Sequence, residues 1–129
     1  MNKRILISAA ILAIVAIILG AFGAHKLKEL LPEHSLNAFE TGVRYQMYHV
    51  FLLLFLGVFS GVTESIKKKV YRFTMVGILF FSGSIYLLST SSITSIDFSA
   101  IGIITPIGGV LLIAAWGILL RSFINLKDD

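Results

Sequence analysis

The sequence predicts an all-α membrane protein: a four-span transmembrane helical bundle with a short amphipathic helix between spans 1 and 2. Three observations predict it. Of 129 residues, 57% are hydrophobic and 14% charged, where an ordinary soluble domain carries roughly 25% charged residues. Mean hydropathy is +0.91. The apolar residues gather in four long runs whose middles hold no Asp, Glu, Lys or Arg, the pattern of segments that dissolve in hydrocarbon. A chain of this length holds one domain, so residues 1–129 are read as a single transmembrane unit with spans at about 5–22, 43–62, 70–89 and 101–121.

The first span, Ile5 to Phe22, is uncharged and follows Lys3 and Arg4. A signal peptide shares that basic start, and Ala21-Phe22-Gly23 is a weak cleavage sequence. A run of roughly 18 apolar residues is nevertheless long enough to cross the bilayer. Ala24 to Leu31 reads as the amphipathic helix, with Leu27, Leu30 and Leu31 on one side and Lys26, Lys28 and Glu29 on the other. Pro32 ends it, and Ser35 is the predicted N-cap of a second helix, Leu36 to Val62. Lys67, Lys68, Lys69 and Arg72 mark the next turn, and the third span is Val70 to Ser89. The fourth ends near Leu120. Its start has two readings: an N-cap at Thr105 with Pro106 at the first helical position, or an earlier start near Phe98 with a kink at Pro106.

Lys and Arg resist translocation. Placing both termini in the cytoplasm puts Lys3, Arg4, Lys67, Lys68, Lys69, Arg72, Arg121 and Lys127 inside, and Lys26, Lys28 and Arg44 outside. The net charge of +4 then points to anionic lipid headgroups rather than nucleic acid. The absence of cysteine excludes disulfides and thiolate metal sites.

Uncharged span cores speak against a proton-coupled pump, because intramembrane ionisable groups mark such pathways. The richest polar cluster is Glu40, Arg44, Tyr45, Gln46, Tyr48 and His49, with His25 in the preceding loop. Glu40 and Arg44 are spaced to pair on one helix face. This strip is the candidate ligand or partner surface. Its plainer reading is an interfacial anchor, with Tyr in the aromatic belt and His and Gln bonded to a neighbouring helix. His25 and Glu29 have helix-face metal spacing, but no tight ligand pattern accompanies them, so no metal and no cofactor are expected. Ser82, Ser84 and Ser89 lack a base nearby in sequence, and a non-enzymatic protein is expected.

Small residues recur at Ala9, Ala13, Ala16, Gly20 and Gly23, one face of the first helix, and again at Gly57 and Gly61. Such stripes let membrane helices approach closely. Gly20→Leu is expected to destabilise the fold or assembly by about 1–3 kcal/mol.

Four strings, in order, carry a resemblance: Gly20-Ala-Phe-Gly-Ala-His25, Tyr45-Gln-Met-Tyr-His49, Phe81-Ser-Gly-Ser-Ile-Tyr86, and Thr105-Pro-Ile-Gly-Gly109 followed by Trp116. Together they resemble the bacterial domain-of-unknown-function family 423 (uncharacterised protein family 0382), related to transmembrane protein 256. The resemblance implies four spans and residence in the bacterial cell membrane, and it brings no activity. The loop Ser91 to Ser99 and the Trp116-Gly117 order depart from its pattern. The functional expectation is a membrane protein that binds lipid or a membrane partner and self-associates as a homo-oligomer. The alternative is a small oligomeric channel or carrier with Tyr45, Gln46 and His49 at its outer mouth.

Overall fold

The computed structural model describes residues 1–128, and they are helical almost throughout. Four long helices carry the fold: α1 (Asn2–Leu30), α2 (Glu33–Val58), α3 (Glu64–Ser89) and α4 (Ile104–Ile124). Among the described residues, three stretches are long and apolar enough to cross a bilayer: Asn2–Leu30, Glu64–Ser89 and Ser99–Ile124. α2 has 26 residues, about 39 Å of helix, but Arg44, Gln46 and His49 dilute its apolar character. Three of the four expected spans therefore meet the test of length and composition.

The predicted amphipathic helix is not separate. α1 runs through Phe22 into a π turn, Gly23–Leu27, and on to Leu30. A π turn absorbs an extra residue without breaking the helix. The break falls at Leu31, extended at φ −103° and ψ 144°, because a residue before proline is driven out of the helical region. α2 starts at once, with Pro32 rather than Ser35 as its N-cap. It ends at Val58, short of the expected Val62, and Phe59 is extended. Gly61 therefore lies in the connecting turn, beside the Phe59 ring, and not on the second helix. Apolar character continues to Val62, but the Ser60-Gly61 pair favours a turn, and Thr63 caps α3 by accepting the Ile66 N–H at 3.3 Å.

α3 begins at Glu64, before the expected Val70, and contains a second π turn at Leu79–Gly83. α4 begins at Ile104, after a short 3₁₀ turn at Ser99–Ile101. The α-helix proper thus starts one residue before the Thr105 of the first reading, and the apolar stretch as a whole starts at Ser99, beside the Phe98 of the second; Pro106 sits inside the first turn, where the missing N–H has no helical acceptor to lose. In the preceding loop, Asp97 accepts the Ser99 N–H at 2.9 Å. That bond holds the carboxyl below its ordinary acidity range. The contact is present at neutral pH and is lost as pH falls through the lowered value. Faster amide exchange at Ser99 in acid than its solvent exposure alone predicts is the expected signature.

The main core joins Ile5 and Ala9 of α1, Val50, Leu53 and Leu56 of α2, Val70 of α3, and Ala115 and Leu119 of α4. A smaller cluster of Leu27, Leu31 and Phe39 closes the opposite end. Ala9, Ala16 and Gly23 are buried, and Ala13 and Gly20 are half-buried. A Cβ on Gly20 would meet Val43 Cγ1 of α2 at 3.5 Å, and one on Gly23 would meet the Phe39 ring at 3.2 Å. The Gly20 distance is an ordinary contact. Gly20→Ala is expected to stay within about 0.5 kcal/mol of the parent in detergent melting, and only larger side chains should disturb the α1/α2 seam.

α1 and α3 run side by side in the same direction. Lys67 Nζ donates to Asn2 Oδ1 at 3.1 Å, and Ser8 Oγ and Tyr71 OH share a hydrogen bond at 2.7 Å. Lys67, assigned by its sequence neighbours to a solvated flank, is only 2% exposed.

Candidate functional site

Two residues of the polar strip of α2, Gln46 and His49, turn inward, a direction the sequence left open. Gln46, 2% exposed, sits between α1 and α3. Its Nε2 donates to the Leu12 carbonyl at 2.8 Å, and its Oε1 accepts from Tyr86 OH at 2.7 Å. One side chain therefore ties three helices through both ends of its amide. One turn further along, His49 Nδ1 lies 2.6 Å from the Tyr45 carbonyl, and Trp116 Nε1 donates to His49 Nε2 at 3.1 Å. An indole N–H needs a lone pair on Nε2. The imidazole is accordingly neutral, with its proton on Nδ1, and both nitrogens are engaged.

The second π turn completes the constellation. Ser82 Oγ donates to the Gly42 carbonyl of α2 at 2.7 Å. Ser84 Oγ bonds the Phe80 carbonyl and shares a 2.5 Å hydrogen bond with Thr105 Oγ1 at the start of α4. Ser89 Oγ returns to the Ile85 carbonyl at 2.7 Å. Each of the three serines spends its hydroxyl on a carbonyl. The bulged backbone lies against Gly108, where a Cβ would stand 2.7 Å from the Phe80 carbonyl carbon and 2.8 Å from Phe81 Cα, and just beyond the bulge a Cβ on Gly42 would lie 2.8 Å from Tyr86 Cε1.

The remaining candidates lie apart from this centre. Tyr45 is 42% exposed and packs its ring on Phe81 and Tyr48, with centroids 5.2 and 5.5 Å apart. Arg44 is exposed and donates to Thr41 Oγ1 at 3.0 Å rather than pairing with Glu40, which is half-buried. His25 is exposed on the first π turn. Among the described residues, no three His, Cys, Asp or Glu side chains converge on a metal position. Sequence spacing missed Tyr86, Ser82 and Trp116 as partners of the strip, because they reach it across helices. The signal that marked them was their place in the four ordered strings.

Two cavities open sideways from this centre. One, of about 300 Å³, is bounded by Tyr45, His49, Phe81, Leu112, Ile113 and Trp116. The other, of about 380 Å³, lies between α1 and α3 and reaches Gln46 and Tyr86. Both are predominantly apolar.

Comparison with known proteins places the chain among bacterial membrane proteins. Residues 19–109 match the family described as protein of unknown function DUF423, a stretch that contains the first three strings and the Thr105–Gly109 turn. A UPF0382 membrane protein of Staphylococcus aureus is 42% identical over 114 residues, covering 88% of this chain and 89% of that one. One from Staphylococcus haemolyticus is 38% identical over 120 residues, covering 93% and 94%. One from Bacillus subtilis is 42% identical over 118 residues, covering 88% and 90%. No solved structure matches the chain. With its apolar helices and its match across most of the relatives' length, this chain is an integral membrane protein and belongs to the DUF423 family.

Proposed function

We propose that this chain is a non-enzymatic four-span protein of the bacterial cell membrane, with both termini cytoplasmic, that holds membrane lipid in grooves on its outer surface and self-associates. The single observation that carries this reading is the engagement of Gln46 and His49. Their polar atoms are spent on Leu12, Tyr86, Tyr45 and Trp116, so they serve as connectors between helices. The core from Ile5 to Leu119 packs mainly apolar side chains at the end where α1 and α3 begin, and the buried Lys67 there is tied to Asn2. The cavities open instead toward the hydrocarbon, with apolar walls suited to acyl chains. α2 counts as the fourth span because α1 and α3 lie in parallel, and two spans running in the same direction require an odd number of crossings between them. Self-association fits the α4 face around Gly117, where a Cβ would meet nothing within 4 Å.

The test is to purify the protein in mild detergent and identify retained lipids and proteins by mass spectrometry. Tightly held lipid on a multimer supports the reading, and a delipidated monomer that is fully folded refutes it. The second reading, an oligomeric channel or carrier, draws on exposed Tyr45 beside His49 in the outer cleft. It requires solute flux in liposomes that His49→Ala abolishes. The expected result is no flux in either protein.

A further inference from the structure

At the end of the bundle where α1 and α3 begin, a cavity of about 500 Å³ is bounded by Met1, Lys3, Arg4, Ile7, Ser8 and Lys68. It holds three cationic side chains and no carboxylate. A further cation is close by in sequence on both helices: buried Lys67, next to Lys68, bonds the neutral Oδ1 of Asn2, next to Lys3. The electrostatics of α1 make this cluster unfavourable by itself. Lys3 and Arg4 stand at the positive end of the helix dipole, and the first turn has neither an acidic residue nor a side-chain cap. A bound anion would offset both.

The chemistry of that anion follows from what lies beneath. Since Asn2 meets Lys67 and Ser8 meets Tyr71, the cavity at residues 1–8 and 68 and the apolar groove of Leu12, Val15, Met75, Val76 and Leu79 follow one another along the same helix pair. From Lys68 to Leu79 the helix rises about 16 Å, close to the roughly 15 Å of one hydrocarbon leaflet. The groove ends at the Gln46–Tyr86 hydrogen bond. We infer that the α1/α3 cleft is a binding site for an anionic phospholipid, its headgroup phosphate among Lys3, Arg4 and Lys68 and one acyl chain along the groove. This rests on the lipid-holding reading above.

The molecule contains its own control. A second basic cavity, of about 440 Å³, lies between α3 and α4 and includes Lys69 and Arg121. Deeper along that pair the helices are in close contact: a Cβ on Gly77 would lie 2.6 Å from Leu112 Cδ2, and Gly108 abuts the Phe80–Phe81 backbone. Charge is present there, but the space for a chain is taken up by packing.

The experiment is native mass spectrometry of the full chain in detergent with equal amounts of phosphatidylglycerol and phosphatidylcholine of identical acyl chains. Phosphatidylglycerol is expected to be retained preferentially. The K3Q/R4Q/K68Q variant should lose that preference, by roughly fivefold per charge, while K69Q/R121Q should keep it. Val76→Trp, which fills the groove from an exposed position, should weaken retention with melting unchanged. Millimolar inorganic phosphate should not displace the lipid, and displacement would overturn the lipid assignment in favour of a free phosphate ligand. Equal retention of the two lipids, or equal losses in both charge variants, would overturn the site while leaving lipid holding intact. Retention of neither lipid would remove the underlying reading as well.

Discussion

Gly108→Ala is expected to destabilise the bundle by about 3 kcal/mol, the upper end of the overpacking range. The cause is backbone against backbone. The π turn at Leu79–Gly83 pushes the chain of α3 toward α4, and the new methyl would lie 2.7 Å from the Phe80 carbonyl carbon and 2.8 Å from Phe81 Cα. Neither atom can rotate away as a side-chain end would. The methyl on Gly57 would instead meet Leu6 Cδ2 at 2.6 Å, a flexible neighbour, so Gly57→Ala should cost less. Gly117→Ala on the same α4 helix meets nothing within 4 Å and should fall within about 0.5 kcal/mol of the parent. Unfolding midpoints in a common detergent, ranked Gly108 below Gly57 below Gly117, test the series. Equal midpoints for the Gly108 and Gly117 variants would refute the close approach.

Gln46→Leu carries the second large effect, about 2 kcal/mol of destabilisation. The substitution keeps a similar volume but removes the amide that bridges Leu12 and Tyr86. The Leu12 carbonyl retains its place in the α1 ladder, so most of the loss arises from the Tyr86 hydroxyl left without its acceptor. Tyr86→Phe alone should cost about 1 kcal/mol, because the Leu12 contact survives. In a double-mutant cycle the pair should couple by about 1 kcal/mol. Additive effects would show that the Gln46–Tyr86 bond contributes nothing beyond packing.

The parts of this architecture that were legible in the sequence depend on local chemistry. Pro32 dictated the break between α1 and α2, and uncharged runs located α1, α3 and α4. The π turns were not legible, because they answer to neighbours: the bulge at Leu79–Gly83 lays its Phe80–Phe81 backbone against Gly108 and bonds the Gly42 carbonyl through Ser82. The end of α2 at Val58 was hidden by apolar residues that continue to Val62, while Ser60-Gly61 sets the turn. Within the candidate site, the residues of the strip could be named from spacing, but not their direction. Gln46 reaches partners 34 and 40 positions away, a separation no helical period encodes. The same limit applied to Glu40 and Arg44, whose spacing permits a pair that Thr41 pre-empts.

The four-span bundle requires that α2, despite Arg44, Gln46 and His49, crosses the membrane. The chain has no cysteine, so single introduced thiols report without background. Asn37→Cys and Ser92→Cys should react with a membrane-impermeant maleimide in intact cells. Ser65→Cys and Lys127→Cys should react only after the membrane is opened. Labelling of positions 37 and 65 from the same side would mean that α2 returns to the face it left, and the four-span bundle would be wrong.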